Sequence, residues 1–464
     1  REAGTPEADL AARIVARNLS RLHLRTVLQP VPLLRVSAAL DASVLEIASG
    51  ESRHAAAHGR EVFIELTGDP PRAALEPCDV AFAGWGIHAP EYSHDDYADL
   101  DARGKALFVW SGEPQREDGG AKFGKGRISR HGLVATKLDL ATKAGASLLL
   151  IAAAPGGRPA EDAYRRDERE KSRPRVVLEG TRPSPPVVYL TAAAAAHLLD
   201  GEGVPRPGVK VRLALEGLRK LSVDDHNVVA ILPGTDPALA TAPVVLAAHH
   251  DHIGADLAAD GSLTVYPGAD DNASGVAALL AVADALARGP APPRPVVFAS
   301  FAAEEKGALG ARWFAGHPQP AGSRPFAVID LDMVGRNNLD RDDYRNVVMA
   351  SYTARAKDLA PLLADSAGRA GLDARKLPYL RPPGRSDDTP FAERDIPSVM
   401  LFTGPHRDYN TAGDLPERII PEKAAAVAHM ALDLVRTLAE RKDRLSWDTT
   451  MSEAPPSDTW DRPY

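Results

Sequence analysis

The sequence contains very little cysteine and few aromatic residues. Cys78 is the single cysteine. This excludes an internal disulfide framework and any zinc or iron–sulfur site built from several thiolates. Phenylalanine, tryptophan and tyrosine together make up 5% of the 464 residues, so no aromatic substrate pocket is indicated. Any metal ion must therefore be bound by His, Asp and Glu side chains.

The chain also lacks an excess of positive charge and a long apolar run. It has 63 acidic and 55 basic residues and a formal net charge of −8, which argues against nucleic-acid binding through bulk charge. No apolar stretch is long enough to cross a bilayer, so we predict no membrane span. Hydrophobic residues make up 44% of the chain, enough for a sizeable core. The length predicts two or three domains.

Four segments can be distinguished along the chain. Residues 1–75 begin with a predicted helix at 5–22 and form the N-terminal part of the main domain. Residues 76–217 contain short strands and are predicted to be a β-rich insertion. Residues 218–442 alternate strands and helices, which predicts an α/β domain around a mostly parallel, twisted sheet. Residues 443–464 are polar and are expected to form a tail.

Candidate metal ligands follow most of the buried strands predicted within 218–442. They are His249 and Asp251 after strand 244–248, Asp270 and Asp271 before the helix at 273, Glu304 and Glu305 after strand 296–301, and Asp332 after strand 326–331. Taken singly, each group also fits a helix cap or a satisfied buried histidine. Taken together, they place several carboxylates at the edge of the sheet where ligands bind. Such charges repel one another unless a cation neutralises them, which predicts a divalent metal.

The spacing within these groups suits a hydrolase. Residues two apart on a strand point the same way, so Asp251 can hydrogen-bond the ring of His249 and fix its tautomer. The neighbours Glu304 and Glu305 point in different directions. One of them can ligate a metal while the other takes a proton from the water that the metal activates.

Four motifs resemble those of the co-catalytic zinc exopeptidases, a family that includes bacterial secreted aminopeptidases and glutamate carboxypeptidase II. They are Ala248-His-His-Asp-His-Ile-Gly254, Pro267-Gly-Ala-Asp-Asp-Asn-Ala-Ser-Gly275, Phe301-Ala-Ala-Glu-Glu-Lys-Gly307 and Asp330-Leu-Asp-Met-Val-Gly335. The resemblance implies a three-layer α/β/α domain, a peptide substrate and one or two Zn²⁺ ions per chain.

Carried over residue by residue, the resemblance also implies roles for the candidate ligands. His249 and Asp332 would bind one zinc, Asp271 would bridge both, Glu305 would bind the second, Glu304 would be the general base and Asp251 would orient His249. Asp270 and Asn272, on either side of the bridging ligand, are expected to be structural.

A second, weaker resemblance concerns the insertion. The stretches 82–92, 104–109 and 141–151 resemble parts of a protease-associated domain, which is often inserted at this place in the family. The resemblance therefore implies that residues 76–217 form such a domain.

Two positions depart from the family pattern. In His406-Arg-Asp-Tyr-Asn-Thr411, Asn410 stands where the family has its last histidine ligand, and an amide oxygen is a poor zinc ligand. We therefore expect the second metal to be bound weakly, to be replaced by a harder ion such as Mn²⁺ or Mg²⁺, or to be absent. His406 would replace the ligand only if the loop folds differently. In the loop 385–391, Asp388 stands where the family has a histidine, and we expect Asp388, His406 and Tyr409 near the substrate.

These observations predict a metal-dependent exopeptidase, specifically an aminopeptidase that hydrolyses N-terminal residues through a metal-activated water, with Glu304 as general base. Two alternatives stay open. One is a one-metal acyl transferase similar to glutaminyl cyclase. The other is a catalytically impaired or non-catalytic binding protein on the same fold, as the transferrin receptor is. The first residue is Arg1 rather than Met, and with the family habit this predicts a secreted or periplasmic protein whose signal peptide has been removed; the oligomeric state is left unknown.

Overall fold

The computed structural model describes residues 1–69, 75–124, 129–166, 168–180, 184–258, 260–318, 324–379 and 386–451. The chain divides into two compact units. Among the described residues, the first consists of Arg1–Leu33 and of 223–451, and the second of Leu34–Ser222. Most of the predicted tail at 443–464 lies outside the described residues.

The described residues form helices and strands throughout both units. The strands are β1 (Arg25–Ser37), β2 (Val44–Ser49), β3 (Ser52–Ala57), β4 (Val62–Glu65), β5 (Cys78–Phe82), β6 (His88–Ala89), β7 (His94–Asp95), β8 (Ala106–Trp110), β9 (Leu148–Ala152), β10 (Arg175–Leu178), β11 (Val187–Leu190), β12 (Lys210–Ala214), β13 (Arg219–Leu232), β14 (Val244–His249), β15 (Ala255–Leu257), β16 (Leu263–Val265), β17 (Val296–Phe301), β18 (Ala327–Leu331), β19 (Val347–Thr353), β20 (Asp373–Tyr379) and β21 (Ser398–Phe402). The α-helices are α1 (Pro6–Arg21), α2 (Val134–Ala144), α3 (Asp162–Arg165), α4 (Glu168–Lys171), α5 (Ala192–Leu198), α6 (Gly275–Ala287), α7 (Leu309–Gly316), α8 (Leu359–Arg369), α9 (Thr389–Ala392) and α10 (Pro421–Glu440).

The sheet of the first unit has a parallel centre. Its neighbouring strands follow the order β13-β17-β14-β18-β21-β19-β20. Strands β17, β14, β18 and β21 run parallel, whereas β13 and β19 pair with them in the antiparallel sense. The predicted α/β class with a mostly parallel sheet is therefore confirmed.

Helices cover both faces of this sheet. Val244, Leu246 and Ala248 of β14 pack into a cluster with residues of α1, α6, α8 and α10. Val245 and Ala247 pack on the other face with residues of α7 and α9. Successive side chains of a strand point to opposite faces, so a strand covered on both sides has a continuous apolar sequence. This arrangement is the predicted three-layer α/β/α domain.

Helix α1 begins where its sequence signals predict, but its buried face is not the one that its large apolar residues suggest. Helix α1 begins at Pro6, and Thr5 caps it by accepting a hydrogen bond from the backbone N–H of Ala8. Leu10 and Ile14, which recur at helical spacing with Val15 and Leu19, are nevertheless 57% and 54% exposed. The buried face of α1 consists instead of small and aliphatic residues, Ala8, Ala12, Val15 and Leu19.

The second unit is built on an eight-stranded sheet with the order β3-β2-β12-β5-β8-β9-β11-β4. Strand β2 pairs with β12, and β4 pairs with β11, both in the antiparallel sense. These pairings place residues 34–69 in the second unit. The sequence predicts instead that residues 1–75 belong to the main domain and that the insertion begins at residue 76. Among the described residues, no helix is both long enough and apolar enough to cross a membrane.

Candidate metal centre

The candidate ligands gather at one edge of the central sheet. His249 is the last residue of β14, and Asp332 directly follows β18. Glu304 and Glu305 lie in a short turn of 3-10 helix after β17. Because β17, β14 and β18 are adjacent and parallel, their carboxyl ends lie side by side.

The first cluster is centred on the ring of His249, which is fully buried. Its Nε2 lies 3.4 Å from Oδ1 of Asp271 and 3.5 Å from Oδ1 of Asp332. Oε2 of Glu304 lies 3.9 Å from the same nitrogen. One imidazole and two carboxylates, with a third carboxylate beside them, thus converge on one point.

A second cluster lies on the other side of Asp271. Nδ1 of His252 lies 2.8 Å from Oε1 of Glu305 and 3.7 Å from Oδ2 of Asp271. The two oxygens of Asp271 therefore face different clusters. That is the geometry of a carboxylate able to bridge two ions.

The donor atoms of the first cluster fit a metal ion. Nε2 of His249 and Oδ1 of Asp332 are buried, and neither has a hydrogen-bond partner within the described part of the chain. Buried polar atoms in native proteins nearly always have a partner. An imidazole nitrogen and carboxylate oxygens are ligands that zinc accepts.

The electrostatics of the site also favour a cation. Burial raises the pKa of Glu304 well above its ordinary value, and the charges of Glu305 and Asp332 add to this effect, which His249 opposes. Burial together with Glu305 likewise raises the pKa of Asp271. The protein alone therefore disfavours several ionised carboxylates in this space, and a divalent ion would stabilise them.

Hydrogen bonds between side chains and backbone groups hold the segment around Asp271, the bridging segment, against the end of β18. Asn272 donates through Nδ2 to the carbonyl of Leu331 at 2.8 Å, and its Oδ1 accepts from the N–H of Met333 at 3.2 Å. Oδ1 of Asp270 accepts from the N–H of Gly335 at 2.7 Å. The two residues flanking Asp271 thus have structural contacts, and they fix its position relative to Asp332.

Asp251 holds the two glutamates more directly than it holds His249. Its carboxylate accepts hydrogen bonds from the backbone N–H groups of Glu304 at 2.9 Å and Glu305 at 3.2 Å. Its distance to Nδ1 of His249 is 3.7 Å, longer than a direct hydrogen bond. The sequence predicted the contact with the ring but not the two contacts with the turn.

Arg1 joins both sides of the centre, a contact that the sequence did not reveal. Its guanidinium donates to the carbonyl of His250 at 2.8 Å and to that of Gly268 at 2.7 Å. It also donates to the carbonyl of Asp271 at 3.3 Å. The backbone carbonyl of Arg1 accepts from the N–H of His252 at 3.0 Å. Arg1 thereby links the loop after β14 to the segment that carries the bridging carboxylate.

A cavity of about 240 Å³ opens beside the two glutamates. Its lining consists of Glu304, Glu305, Gly307, Ala308, Arg312, Ser386, Thr389 and Tyr409. Tyr409, one of the three residues predicted near the substrate, is thus on the cavity wall. Asp388, at the N-terminus of α9, is buried and is not among the lining residues.

His406 is also buried, and it lies behind the metal centre. Its Nε2 is 3.4 Å from Oδ2 of Asp270 and 4.0 Å from Oδ1 of Asp414. Asp414 in turn accepts hydrogen bonds from the backbone N–H groups of Asp270 and Asp271, at 3.0 and 3.1 Å. These contacts give His406 a supporting position beneath the bridging segment, not the position of a substitute ligand.

Comparison with known proteins agrees with this geometry. Residues 227–435 match the model of Peptidase family M28. This segment is an M28 peptidase domain. It contains all five ligand and base residues proposed above, His249, Asp271, Glu304, Glu305 and Asp332.

Two curated relatives align with part of the chain. The chain is 31% identical over 149 residues to the probable lipoprotein aminopeptidase LpqL of Mycobacterium tuberculosis, an alignment that covers 30% of this chain and 29% of that protein. It is 27% identical over 186 residues to leupeptin-inactivating enzyme 1 of Streptomyces exfoliatus, with 39% of this chain and 36% of that protein covered. The matches thus span about a third of the length of these relatives.

A solved structure, that of an aminopeptidase from Aneurinibacillus sp. strain AM-1, has a similar fold. The similarity covers 97% of this chain and 93% of the other, with a TM-score of 0.56 and 21% sequence identity. At this level of sequence identity, the similarity supports the assignment of the fold alone.

Two buried residues of the M28 domain were not assigned a role from the sequence. One is His252, which the sequence places three residues after His249 and which received no role. The other is Asp387, which is fully buried with neither carboxylate oxygen hydrogen-bonded among the described residues. Burial and the nearby Asp330 raise the pKa of Asp387 well above its ordinary value. Both residues carry ligand-type side chains, and it was their burial that the sequence could not show.

Proposed function

We propose that this protein is a metal-dependent aminopeptidase that removes N-terminal residues from peptides. The observation that carries the proposal is the position of Asp271, whose two oxygens face two separate clusters of His and carboxylate groups. Glu304, at the edge of the first cluster, also lines the adjoining cavity. Zinc is the proposed ion, supported by the His and carboxylate donors.

In this proposal, His249, Asp332 and Asp271 hold one ion, and Glu305 with Asp271 holds a second. A bound zinc ion supplies a Lewis acid that polarises the scissile carbonyl and lowers the pKa of water. Glu304 takes the proton from the attacking water and delivers it to the leaving amine. Asp251 keeps Glu304 in place through the backbone N–H of that residue.

The size of the cavity supports exopeptidase activity. Its volume of about 240 Å³ is below the roughly 300–1,000 Å³ of typical small-molecule sites, so it admits the end of a peptide better than an internal segment. The relative from Mycobacterium tuberculosis is a probable lipoprotein aminopeptidase, which supports the same choice.

The test is Glu304→Gln, compared with Glu422→Gln on the exposed face of α10 as the control. We expect Glu304→Gln to abolish hydrolysis of aminoacyl p-nitroanilides by the zinc-loaded protein while its metal content stays unchanged. Loss of metal would mean that Glu304 and Glu305 have exchanged roles. A wild-type protein that binds zinc but hydrolyses no substrate would favour a binding protein or an acyl transferase.

We also propose that the second unit contains a protease-associated domain and that the protein acts outside the cytoplasm. The first proposal is supported by the motif resemblances within 82–151. The second is supported by the name of the Mycobacterium tuberculosis relative, a lipoprotein. Fractionation of the producing cells tests the location, and recovery of the protein in the cytoplasm alone would contradict it.

A further inference from the structure

The second cluster contains an imidazole at a position to which the family resemblance assigns no ligand. His252 follows β14 in the same short run as His249, and its side chain is fully buried. Asn410, in contrast, stands where the family has a histidine, and its Oδ1 is buried without a hydrogen-bond partner among the described residues. The family's usual source of imidazole for the second ion is therefore missing, while another imidazole is present.

The two clusters have the same composition. Each contains one imidazole, one oxygen of Asp271 and one further carboxylate, which is Asp332 in the first cluster and Glu305 in the second. In the second cluster the three donor atoms lie within 4.8 Å of one another, as they do in the first. One imidazole and two carboxylates, with a position left for water, form a ligand set that catalytic zinc sites use.

The backbone holds the ring of His252 in this orientation. Gly268 lies against the ring, and a Cβ atom there would be 2.5 Å from Cδ2 of His252. Arg1 accepts the hydrogen bond from the backbone N–H of His252. The neighbouring His250 differs, because its Nδ1 pairs with the hydroxyl of Ser300 at 3.0 Å and does not face a carboxylate cluster.

We propose that Nδ1 of His252 is the imidazole ligand of the second metal ion and takes the place of the histidine that Asn410 replaces. This inference rests on the proposed two-metal function. The sequence analysis expected a weakened second site because of Asn410. With His252 as a ligand, that site has an imidazole, the bridging Asp271 and Glu305, and it does not depend on the amide of Asn410. A residue that only oriented Glu305 through a hydrogen bond would not contact the ion.

X-ray absorption of the wild-type protein loaded with two zinc ions tests this directly. Imidazole ligands give a recognisable multiple-scattering pattern. If His249 and His252 are both ligands, the average is one imidazole per zinc. An average of one half would show that His249 alone is bound and would overturn the inference.

Metal stoichiometry of folded variants gives an independent measurement. We expect His252→Ala to reduce the tightly bound zinc from two ions to one, and Asn410→Ala to leave two. Retention of two ions by His252→Ala, or loss of one by Asn410→Ala, would overturn the inference. If His252→Ala does not fold, the absorption measurement on the wild-type protein decides.

The two proposals fail in different ways. A protein that hydrolyses peptides but shows half an imidazole per zinc retains its proposed function without His252 as a ligand. A protein with one imidazole per zinc and no hydrolysis retains the site without the proposed activity.

Discussion

At the scale of single residues, the metal centre depends on close contacts around one glycine. Gly268 has a φ of 62°, and a side chain there would meet the ring of His252 and the carbonyl of Asp271. Glycine adopts this left-handed conformation readily and leaves the space that the ring occupies. The position of the second imidazole thus depends on a residue that has no side chain.

This contact predicts the effect of Gly268→Ala. We expect the variant to lose stability and one of its two zinc ions, because the new methyl group displaces His252. The matched control is Gly261→Ala, where φ is 84° but no atom lies within 4 Å of the new Cβ. The control should lose only the roughly 1–2 kcal/mol of left-handed strain and should keep both ions. Equal zinc content in the two variants would contradict the role given to Gly268.

A second prediction concerns Asp225, which is 1% exposed and accepts a hydrogen bond from the N–H of Gly4 at 2.8 Å. Burial raises its pKa from 3.8 to about 6. The folded state therefore prefers the protonated acid. The stability that this preference contributes is present below pH 4 and is lost as the pH rises through about 6. The change amounts to about 3 kcal/mol.

Asp225→Asn removes the titrating group while keeping a side chain of similar shape. We therefore expect the free energy of unfolding of the wild type, relative to that of the variant, to fall by roughly 2–2.5 kcal/mol between pH 4 and pH 7. Urea unfolding at several pH values measures this difference. A difference that stays constant with pH would show that the carboxyl group titrates normally.

At the scale of secondary-structure elements, α10 shows how packing stabilises the sheet. One face of this helix is fully buried and consists of Val427, Met430, Ala431, Leu434 and Leu438. We expect Leu434→Ala to reduce the free energy of unfolding by about 2–5 kcal/mol, since it leaves a cavity between layers. Leu10→Ala on the exposed face of α1 should change it by less than about 0.5 kcal/mol. Thermal or urea unfolding compares them, and similar losses would contradict the assigned faces.

The strands that the sequence predicts best are those at the parallel centre of the sheet. The run 296–301 is apolar except for Ser300, and β17 has these bounds. Strand β20 was missed, because Asp373-Ala-Arg-Lys376 lies at the end of the sheet order of the described residues, where polar residues are tolerated. Strand β1 was missed because its sequence contains Pro30 and Pro32, which are unfavourable inside a sheet.

The site shows the same limit of prediction from sequence. The positions of His249, Glu304, Glu305 and Asp332 follow from strand ends, because parallel strands bring their ends to one edge. The place of His252 depends on how the loop after β14 returns towards Gly268. No periodic pattern describes such a loop. The role of His252 therefore follows only from its burial in the structure and from its 2.8 Å contact with Glu305.

At the scale of the whole molecule, the folded M28 domain concentrates negative charge that a metal ion must balance. Removal of metal by a chelator should therefore destabilise this domain. Binding at 100 to 1,000 times the dissociation constant contributes about 3–4 kcal/mol, so the thermal midpoint should fall on chelation and return when Zn²⁺ is added. An unchanged midpoint in protein shown to be free of metal would contradict this account of the buried carboxylates.

The measurement that tests the central claim most directly is hydrolysis of matched substrates as zinc is added to the metal-free protein. An aminoacyl p-nitroanilide with a free amino group is compared with the same compound carrying an N-acetyl group. The proposed function predicts no cleavage without metal, cleavage of the free substrate that rises until two zinc ions are bound, and little cleavage of the blocked substrate. Absence of cleavage at every zinc level, or equal cleavage of both compounds, would contradict the assignment of this centre as that of a metal-dependent aminopeptidase.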